Sequence, residues 1–329
     1  MRAWQVHELG DPQEVLKLEE VEEPEPGRGE VVVEVEAAAL NFFDILLCKG
    51  EYQERPDLPF TPGAEVSGSI VEAGEGVDLA VGTRVLATPP LPKGGYAEKV
   101  AAPADGSVFY IPDEMPTQAA AALHLAYQTA HFGLHRRADL REGETVLVHA
   151  GAGGVGSAAI QVARATGARV IATAGGPEKV EVCEKLGAEV AVNYREENFV
   201  DVVKEATEGR GADVIFDPVG GEVFDLSRRC VAFEGRIVIV GFTSGSIADA
   251  PTNHLLVKNY SVLGLHWGLY NKVMPGLVRE THDALVKLYQ NGEIDPLIFN
   301  TVPFEEVPEA LGLLGSRRTY GKLVTTPGG

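Results

Sequence analysis

Apolar positions follow two rhythms along this chain, and the change between them falls near residues 123–126. In the first part, Glu30-Val-Val-Val-Glu-Val-Glu36 alternates with period two, and Val66–Ala73 is a second run that meets a turn at Gly74-Glu75-Gly76. Gly82-Thr-Arg-Val-Leu-Ala87 and Gly94-Gly-Tyr-Ala-Glu98 add short strands between Pro and Gly punctuation, which predicts an irregular β-barrel. In the second part, strands and helices alternate. The apolar run Val146-Leu-Val148 enters a glycine-rich turn, a helical pattern covers 157–166, a strand 169–173, and a helix 178–186 that Gly187 closes. Further short strands are expected at 190–193, 214–217 and 236–241, separated by helix-compatible segments, as a doubly wound parallel sheet requires. Residues 259–265 read as the strand that ends this sheet, and 263–268 as strand-like throughout. Helices over 281–290 and 303–314 and a final strand at 321–325 complete the order. The expected organisation is a barrel domain over 1–124, an α/β domain over 125–266, and a C-terminal return to the first domain over 267–329.

The 329 residues suffice for two domains with ample cores. Cys48, Cys183 and Cys230 are odd in number and widely spaced, which suggests buried thiols instead of a disulfide framework or a zinc knuckle. No apolar run is long enough to span a bilayer, and Met1-Arg2-Ala3-Trp4 lacks a signal-peptide core, so a cytoplasmic protein is expected. The net charge of −20, from 28 basic and 48 acidic residues, argues against nucleic acid and anionic membranes as partners. An anionic ligand would have to be held by local donors.

Such donors are implied by the turn itself, Gly151-Ala-Gly153-Gly154-Val155-Gly156, a G-x-G-x-x-G between strand and helix. Gly151 permits the turn, Gly153 lets backbone approach a pyrophosphate, and Gly156 lets the helix pack closely on the strand. A dinucleotide site follows. Chains that select NAD place an acid on the ribose about 20 residues beyond the first glycine. Here that strand ends Ile171-Ala-Thr173-Ala174, and Gly175-Gly176-Pro-Glu-Lys179 follows.

With these motifs, together with Asn41-Phe-Phe-Asp44, Pro62-Gly-Ala-Glu65 and Gly94-Gly-Tyr96, the chain resembles the medium-chain dehydrogenase/reductase superfamily over nearly its full length. Within it, the chain looks like the zinc-independent NADPH:quinone oxidoreductase, or zeta-crystallin-like, branch. The resemblance implies a GroES-like β-barrel domain joined to a Rossmann domain, with the active site in the cleft between them. Zinc alcohol dehydrogenases of the superfamily carry Cys where this chain has Asn41 and His where it has Ala64, so no metal is expected.

Without zinc the acceptor must tolerate its own negative charge. A simple ketone yields an alkoxide whose parent acid is of the strength of water, about 15.7, whereas a quinone yields a phenolate whose acid titrates near about 10. The gap is worth roughly 8 kcal/mol. An apolar electrophile such as a quinone, an enone or an α,β-unsaturated thioester is therefore the expected partner.

The resemblance implies several site residues, each with a plainer structural alternative. Asn41 donates to the developing oxyanion or caps a turn. Tyr52 donates a proton or packs in the barrel. Asp44 orients its loop or, the favoured reading, is a solvated carboxylate. Thr129 bonds the nicotinamide or its own helix carbonyls. Lys179 and Tyr194 hold the 2′-phosphate of NADPH, although Gly176 replaces the usual Ser or Thr and Glu178 partly offsets the lysine. The turn Gly151, Gly153, Gly154, Val155 and Gly156, with Thr173 and Gly175, lines the cofactor. So do Val219 in Asp217-Pro-Val-Gly-Gly221 and Gly241, Phe242 and Thr243 in the next loop. Trp267 stacks in the pocket or seals the core, and Lys322 reaches the pocket. The expected function is hydride transfer from NADPH to a quinone. The alternatives are an enoyl-CoA or enone reductase with Tyr52 as proton donor, and a non-catalytic NADPH-binding protein. A homodimer or homotetramer is expected through the sheet edge at 259–265.

Overall fold

The computed structural model describes residues 1–328, which form two compact units. The first comprises Met1–Leu125, Val278–His282 and the chain from Pro296 onward. The second comprises Ala126–Leu277 and Asp283–Asp295.

The first unit begins with an antiparallel pair, β1 (Arg2–Val6) and β2 (Leu16–Glu20), bridged by the short helix α1 (Pro12–Val15). The long strand β3 (Glu30–Leu40) follows. Its burial does not keep the expected alternation: Val31, Val32 and Val33 are buried in succession, only Glu34 is exposed, and Ala37, Ala38, Ala39 and Leu40 are again buried in a row, because partners cover both faces there. Helix α2 (Phe42–Lys49) precedes β4 (Val66–Ala73), β5 (Arg84–Ala87), β6 (Lys99–Pro103) and β7 (Val108–Tyr110). The segment 94–98 is not a strand: its backbone bonds to several neighbours but forms one isolated β-bridge, Ala97 with Ala3, before β6 begins. Helix α3 (Thr117–His131) carries the chain into the second unit.

There the parallel strands are β8 (Thr145–Val148), β9 (Arg169–Ala174), β10 (Val190–Asn193), β11 (Ala212–Asp217), β12 (Val231–Ile239) and β13 (Ser261–Gly264). Helices α4 (Gly154–Ala165), α5 (Pro177–Leu186), α6 (Phe199–Ala206), α7 (Glu222–Cys230) and α8 (Thr252–Lys258) alternate with them. The sheet order β10-β9-β8-β11-β12-β13 reverses direction at β8, so it is doubly wound, and its crevice lies at the carboxyl ends beside that reversal. Leu147, Ile171, Val192, Ile215 and Ile237 form its apolar core with side chains from the flanking helices. Residues 263–268 are not one strand. β13 stops at Gly264, and Trp267 opens helix α9 (Trp267–Val273).

Helix α10 (Pro275–Gln290), strand β14 (Ile298–Pro303), a single 3₁₀ turn (Phe304–Glu306), helix α11 (Val307–Gly315) and strand β15 (Lys322–Thr326) follow. In the first unit β15 pairs antiparallel with β3, which completes a seven-stranded sheet of order β14-β15-β3-β4-β5-β7 with β6 also on β3. That pairing sets Leu323 opposite Leu40 and so brings Lys322 to the start of α2. No helix among the described residues is long and apolar enough to cross a membrane.

Candidate active site

Helix α2 starts because Asn41 leaves the strand in extended backbone and Asp44, three residues on, reaches back to it. The Asn41 N–H donates to Asp44 Oδ2 at 2.9 Å, half of a capping box. Asp44 is not the solvated carboxylate expected: it is fully buried. Its oxygens also accept from the Gly63 N–H at 3.2 Å and the Tyr96 hydroxyl at 2.7 Å. Three donors offset part of the cost of burying a carboxylate. Desolvation still dominates and pushes the Asp44 carboxyl up to about 6, against the lowering by Tyr96, the two backbone donors and Lys322.

The sign of the consequence is fixed by linkage. Below the unfolded aspartate's value near 3.8, both states hold the proton and the native state keeps its full advantage. As pH rises through about 6, the fold must carry a buried charge and that advantage is lost, roughly 2–3 kcal/mol for a shift of this size. Urea unfolding of wild type and Asp44→Asn at pH 4 and pH 7 checks this. The stability of wild type relative to the variant falls by about that amount as pH rises; a pH-independent difference contradicts it.

Beside this cradle lies a second buried cluster. Glu65 is fully buried and accepts from Lys322 Nζ at 2.9 Å and Asn41 Nδ2 at 3.2 Å through Oε1, and from the Leu125 N–H at 2.8 Å through Oε2. Lys322 Nζ also donates to Asn41 Oδ1, which fixes the amide with its oxygen toward the ammonium. The Asn41 amide nitrogen points to Glu65 and to the Ala39 carbonyl, 3.3 Å away, so both of its hydrogens are directed inward. Lys322 has three N–H donors and commits two, which leaves one ammonium hydrogen for a ligand oxygen. Glu65 appears in the sequence only as the end of Pro62-Gly-Ala-Glu65. Its role was hidden because the partner that defines it lies 257 residues away. Tyr52 is partly buried, its ring 5.3 Å from that of Phe43. Burial, then Glu54 and Asp44, raise its phenol above the ordinary value, so it is protonated at neutral pH.

A zinc ion does not fit these residues. Among the described residues no three His, Cys, Asp or Glu side chains converge, and Cys48, Cys183 and Cys230 are buried on three different helices.

In the second unit, the glycine-rich turn is the junction of β8 and α4. Gly153 is the N-cap residue and α4 begins at Gly154, so the N–H groups of the first turn, through Val155 and Gly156, have no acceptor within the helix. The Gly151 N–H donates to the Thr173 carbonyl at 2.9 Å, which ties the turn to β9. A Cβ on Gly156 would stand 2.2 Å from the Ala150 carbonyl oxygen, so only glycine lets the helix sit this close. This cradle suits a pyrophosphate. Thr173 is buried below it, with its hydroxyl 3.0 Å from His149 Nδ1, while His149 Nε2 meets the Ser227 hydroxyl at 2.8 Å. Ser227 gives its own proton to the Val223 carbonyl, so His149 Nε2 carries the hydrogen and Nδ1 accepts from Thr173. Burial holds this imidazole down at about 4, hence neutral. His149 was visible only as the residue before Ala150 and Gly151.

The loops after β11 and β12 are tied together. The Thr243 N–H donates to the Pro218 carbonyl at 3.0 Å and the Ser244 N–H to the Val219 carbonyl at 3.1 Å. Val219, Gly241 and Thr243 are partly buried and Phe242 is exposed. Thr129, on α3, is partly buried, and Trp267 is buried at the head of α9. After β9, Gly175 and Gly176 lead into α5. Gly176 takes φ +102° while its N–H donates to Asn193 Oδ1 at 2.9 Å, a conformation that disfavours the Ser or Thr otherwise expected there. Lys179 is partly buried at the start of α5, and Tyr194 is exposed after β10.

Comparisons with known proteins follow the same division. The chain matches the alcohol dehydrogenase GroES-like domain over residues 27–113 and the zinc-binding dehydrogenase model over 154–283. It is 42% identical to a quinone oxidoreductase-like protein 2 homolog of Nematostella vectensis, over 98% of this chain and 88% of that protein. It is 33% identical to the quinone oxidoreductase of Homo sapiens, over 94% and 92%. Among solved structures, it superposes on an Escherichia coli quinone oxidoreductase complexed with NADPH with a TM-score of 0.91 and 30% identity, covering 99% of this chain and 100% of that one.

Proposed function

Because this chain belongs to the medium-chain dehydrogenase/reductase superfamily, among its quinone oxidoreductases, we propose that it reduces quinones or similar conjugated carbonyls with NADPH and without zinc. That it is an oxidoreductase follows from the family. The observation that carries the finer reading is the Asn41–Glu65–Lys322 cluster: a buried ammonium with one uncommitted hydrogen is held by Asn41, the position that the resemblance matches to a zinc-ligating Cys.

Bound NADPH supplies the hydride from nicotinamide C4, and one proton completes the conversion of quinone to hydroquinone. The chain's own residues do the rest. The N–H groups at the start of α4 hold the pyrophosphate, and the loops around Val219, Gly241, Phe242 and Thr243, with Gly175, Thr129 and Trp267, hold the remainder of the nucleotide. Thr173 and His149 brace the turn from below. Lys179 and Tyr194 receive the 2′-phosphate. The spare Lys322 hydrogen stabilises the oxyanion, while Asn41 and Glu65 hold the ammonium in place. A quinone needs no stronger help, since its reduced oxygen is only a phenolate.

Tyr52 separates this reading from its rival. A protonated phenol suits proton delivery to a carbon centre, as an enoyl-thioester reductase requires. Steady-state assays with a quinone panel and with crotonyl-CoA decide. We expect Tyr52→Phe to keep quinone turnover within about threefold, because protonating a phenolate needs no dedicated acid; general acids typically contribute about 10²–10⁴-fold where one is needed. Crotonyl-CoA as the better substrate, with turnover that collapses in Tyr52→Phe, promotes the rival. The reading also includes a cytoplasmic homodimer. Three buried thiols are compatible with a reducing compartment, and β13 is an edge strand preceded by α8, which exposes Leu256 and Val257. Sedimentation at twice 35.0 kDa is the expected result, and a 35.0 kDa species contradicts it.

A further inference from the structure

Gly176 leaves the 2′-phosphate position short of one hydrogen-bond donor, and the fold places a charged group beside the gap. Residues 193–195 leave β10 next to the end of β9, with Asn193 paired to Ala174 in the parallel register. Asn193 Oδ1 accepts from the N–H groups of both Gly176, at 2.9 Å, and Arg195, at 3.3 Å, which locks the two loops to one another. The result is close cover over the glycine pair. A side chain starting at Gly175 would stand 2.6 Å from the Tyr194 hydroxyl oxygen and 3.3 Å from Arg195 Nε, and one starting at Gly176 would stand 3.6 Å from Arg195 Nη1. Two adjacent glycines therefore leave open the space that the phenol and the guanidinium face.

Arg195 itself is exposed, and among the described residues its guanidinium makes no hydrogen bond or ion pair. By contrast, Arg169 pairs with Glu189 and Arg210 with Asp213. A second cation stands within electrostatic reach of Arg195. Lys179 is held below the ordinary lysine range by burial and then by Arg195, with Glu178 acting the other way. Two cations kept together at a cost are an arrangement that an anion relieves.

We propose that Arg195 is a specificity-determining residue for the phosphorylated ribose: its guanidinium binds the 2′-phosphate over Gly175 and Gly176 and replaces the hydroxyl donor absent at position 176. A fork of N–H donors matches phosphate oxygens bidentately, which one hydroxyl cannot do. The inference rests on the NADPH reading and names a residue that this reading alone does not supply.

Fluorescence titration of NADPH, NADH, adenosine 2′,5′-bisphosphate and AMP against wild type, Arg195→Gln and Arg195→Lys tests it. Because the side chain is exposed and its guanidinium holds no hydrogen bond or ion pair among the described residues, thermal melts of the variants should coincide with wild type. Arg195→Gln is expected to weaken NADPH and the bisphosphate by roughly ten- to hundredfold, the worth of a charge-assisted contact, and to leave NADH and AMP within about twofold. Arg195→Lys should fall between. If wild type prefers NADPH and Arg195→Gln retains that preference, the role of Arg195 is overturned and the cofactor reading stands. If NADPH and NADH weaken equally, the arginine acts on the loop and not on the phosphate, and the proposal is likewise overturned. If wild type binds NADH as well as NADPH, the cofactor reading fails and the proposal with it.

Discussion

Lys322→Met will unfold at markedly lower urea concentration than wild type and will lose nearly all quinone turnover. The side chain is buried and holds two acceptors, Glu65 Oε1 and Asn41 Oδ1. Removing the ammonium leaves the fully buried Glu65 carboxylate without its counter-charge, and such breaks cost about 3–5 kcal/mol. The catalytic part of the loss is separable. In the double variant Lys322→Met with Glu65→Gln no charge is stranded, and the amide keeps an oxygen for the Leu125 N–H that Glu65 now receives. Stability should return to within about 1–2 kcal/mol of wild type, since neutral replacement of a buried pair is often tolerated. Turnover should stay down by roughly 10²–10³-fold, the usual cost of one lost oxyanion donor. Urea melts and steady-state rates on the two variants check both halves. A double variant with near wild-type kcat shows that Lys322 is only structural.

Gly156→Val has an effect of comparable size in the other unit. The added Cβ would lie 2.2 Å from the Ala150 carbonyl oxygen and 2.9 Å from the Gly151 Cα, both backbone atoms that cannot rotate aside. Helix α4 must then move off β8, and the N–H groups of its first turn move with it. Overpacking costs about 1–3 kcal/mol of stability. The larger effect is on binding: we expect NADPH affinity to fall by about hundredfold or more, because several N–H contacts are displaced together and each charge-assisted one is worth about 1.5–3 kcal/mol. Gly153→Ala is the graded control, since its Cβ meets the same carbonyl at 3.2 Å and a small adjustment suffices. A folded Gly156→Val protein that binds NADPH as tightly as wild type contradicts the placement of the pyrophosphate.

Local pattern was enough where an element's neighbours impose one periodicity. The strand expected at 190–193 is β10 residue for residue, and Val66–Ala73 is β4, because each alternates or runs apolar between clear turn residues. The helix at 157–166 begins three residues earlier than its apolar pattern, since the glycines that hide helical propensity are the ones that open α4. The short pair β1 and β2 was not legible: five residues with a mixed burial pattern give too little periodicity. Trp267 looked like strand because Leu263, Leu265 and Trp267 alternate, yet the sheet needs only four residues from that strand, and the chain turns into α9.

At the site, the divide is between chemistry carried by a local motif and chemistry assembled across the chain. The glycine turn announces itself within six residues. Asp44 and Glu65 do not, because an acidic side chain in a sequence reads as solvated, and only the fold supplies Tyr96, Gly63 and Lys322 as their donors. The same holds for Asn41, whose amide reads as a free donor until β15 delivers a lysine to its oxygen.

The central claim is that this chain moves a hydride from NADPH to a quinone with a lysine, and no metal, at the acceptor oxygen. The most direct test is to strip the purified protein with a strong chelator, confirm its metal content by elemental analysis, and follow NADPH absorbance on adding a quinone. One NADPH is expected to be oxidised per quinone reduced, at a rate unchanged by the chelator. Stoichiometric zinc whose removal abolishes turnover, or no NADPH oxidation with any quinone, would contradict it.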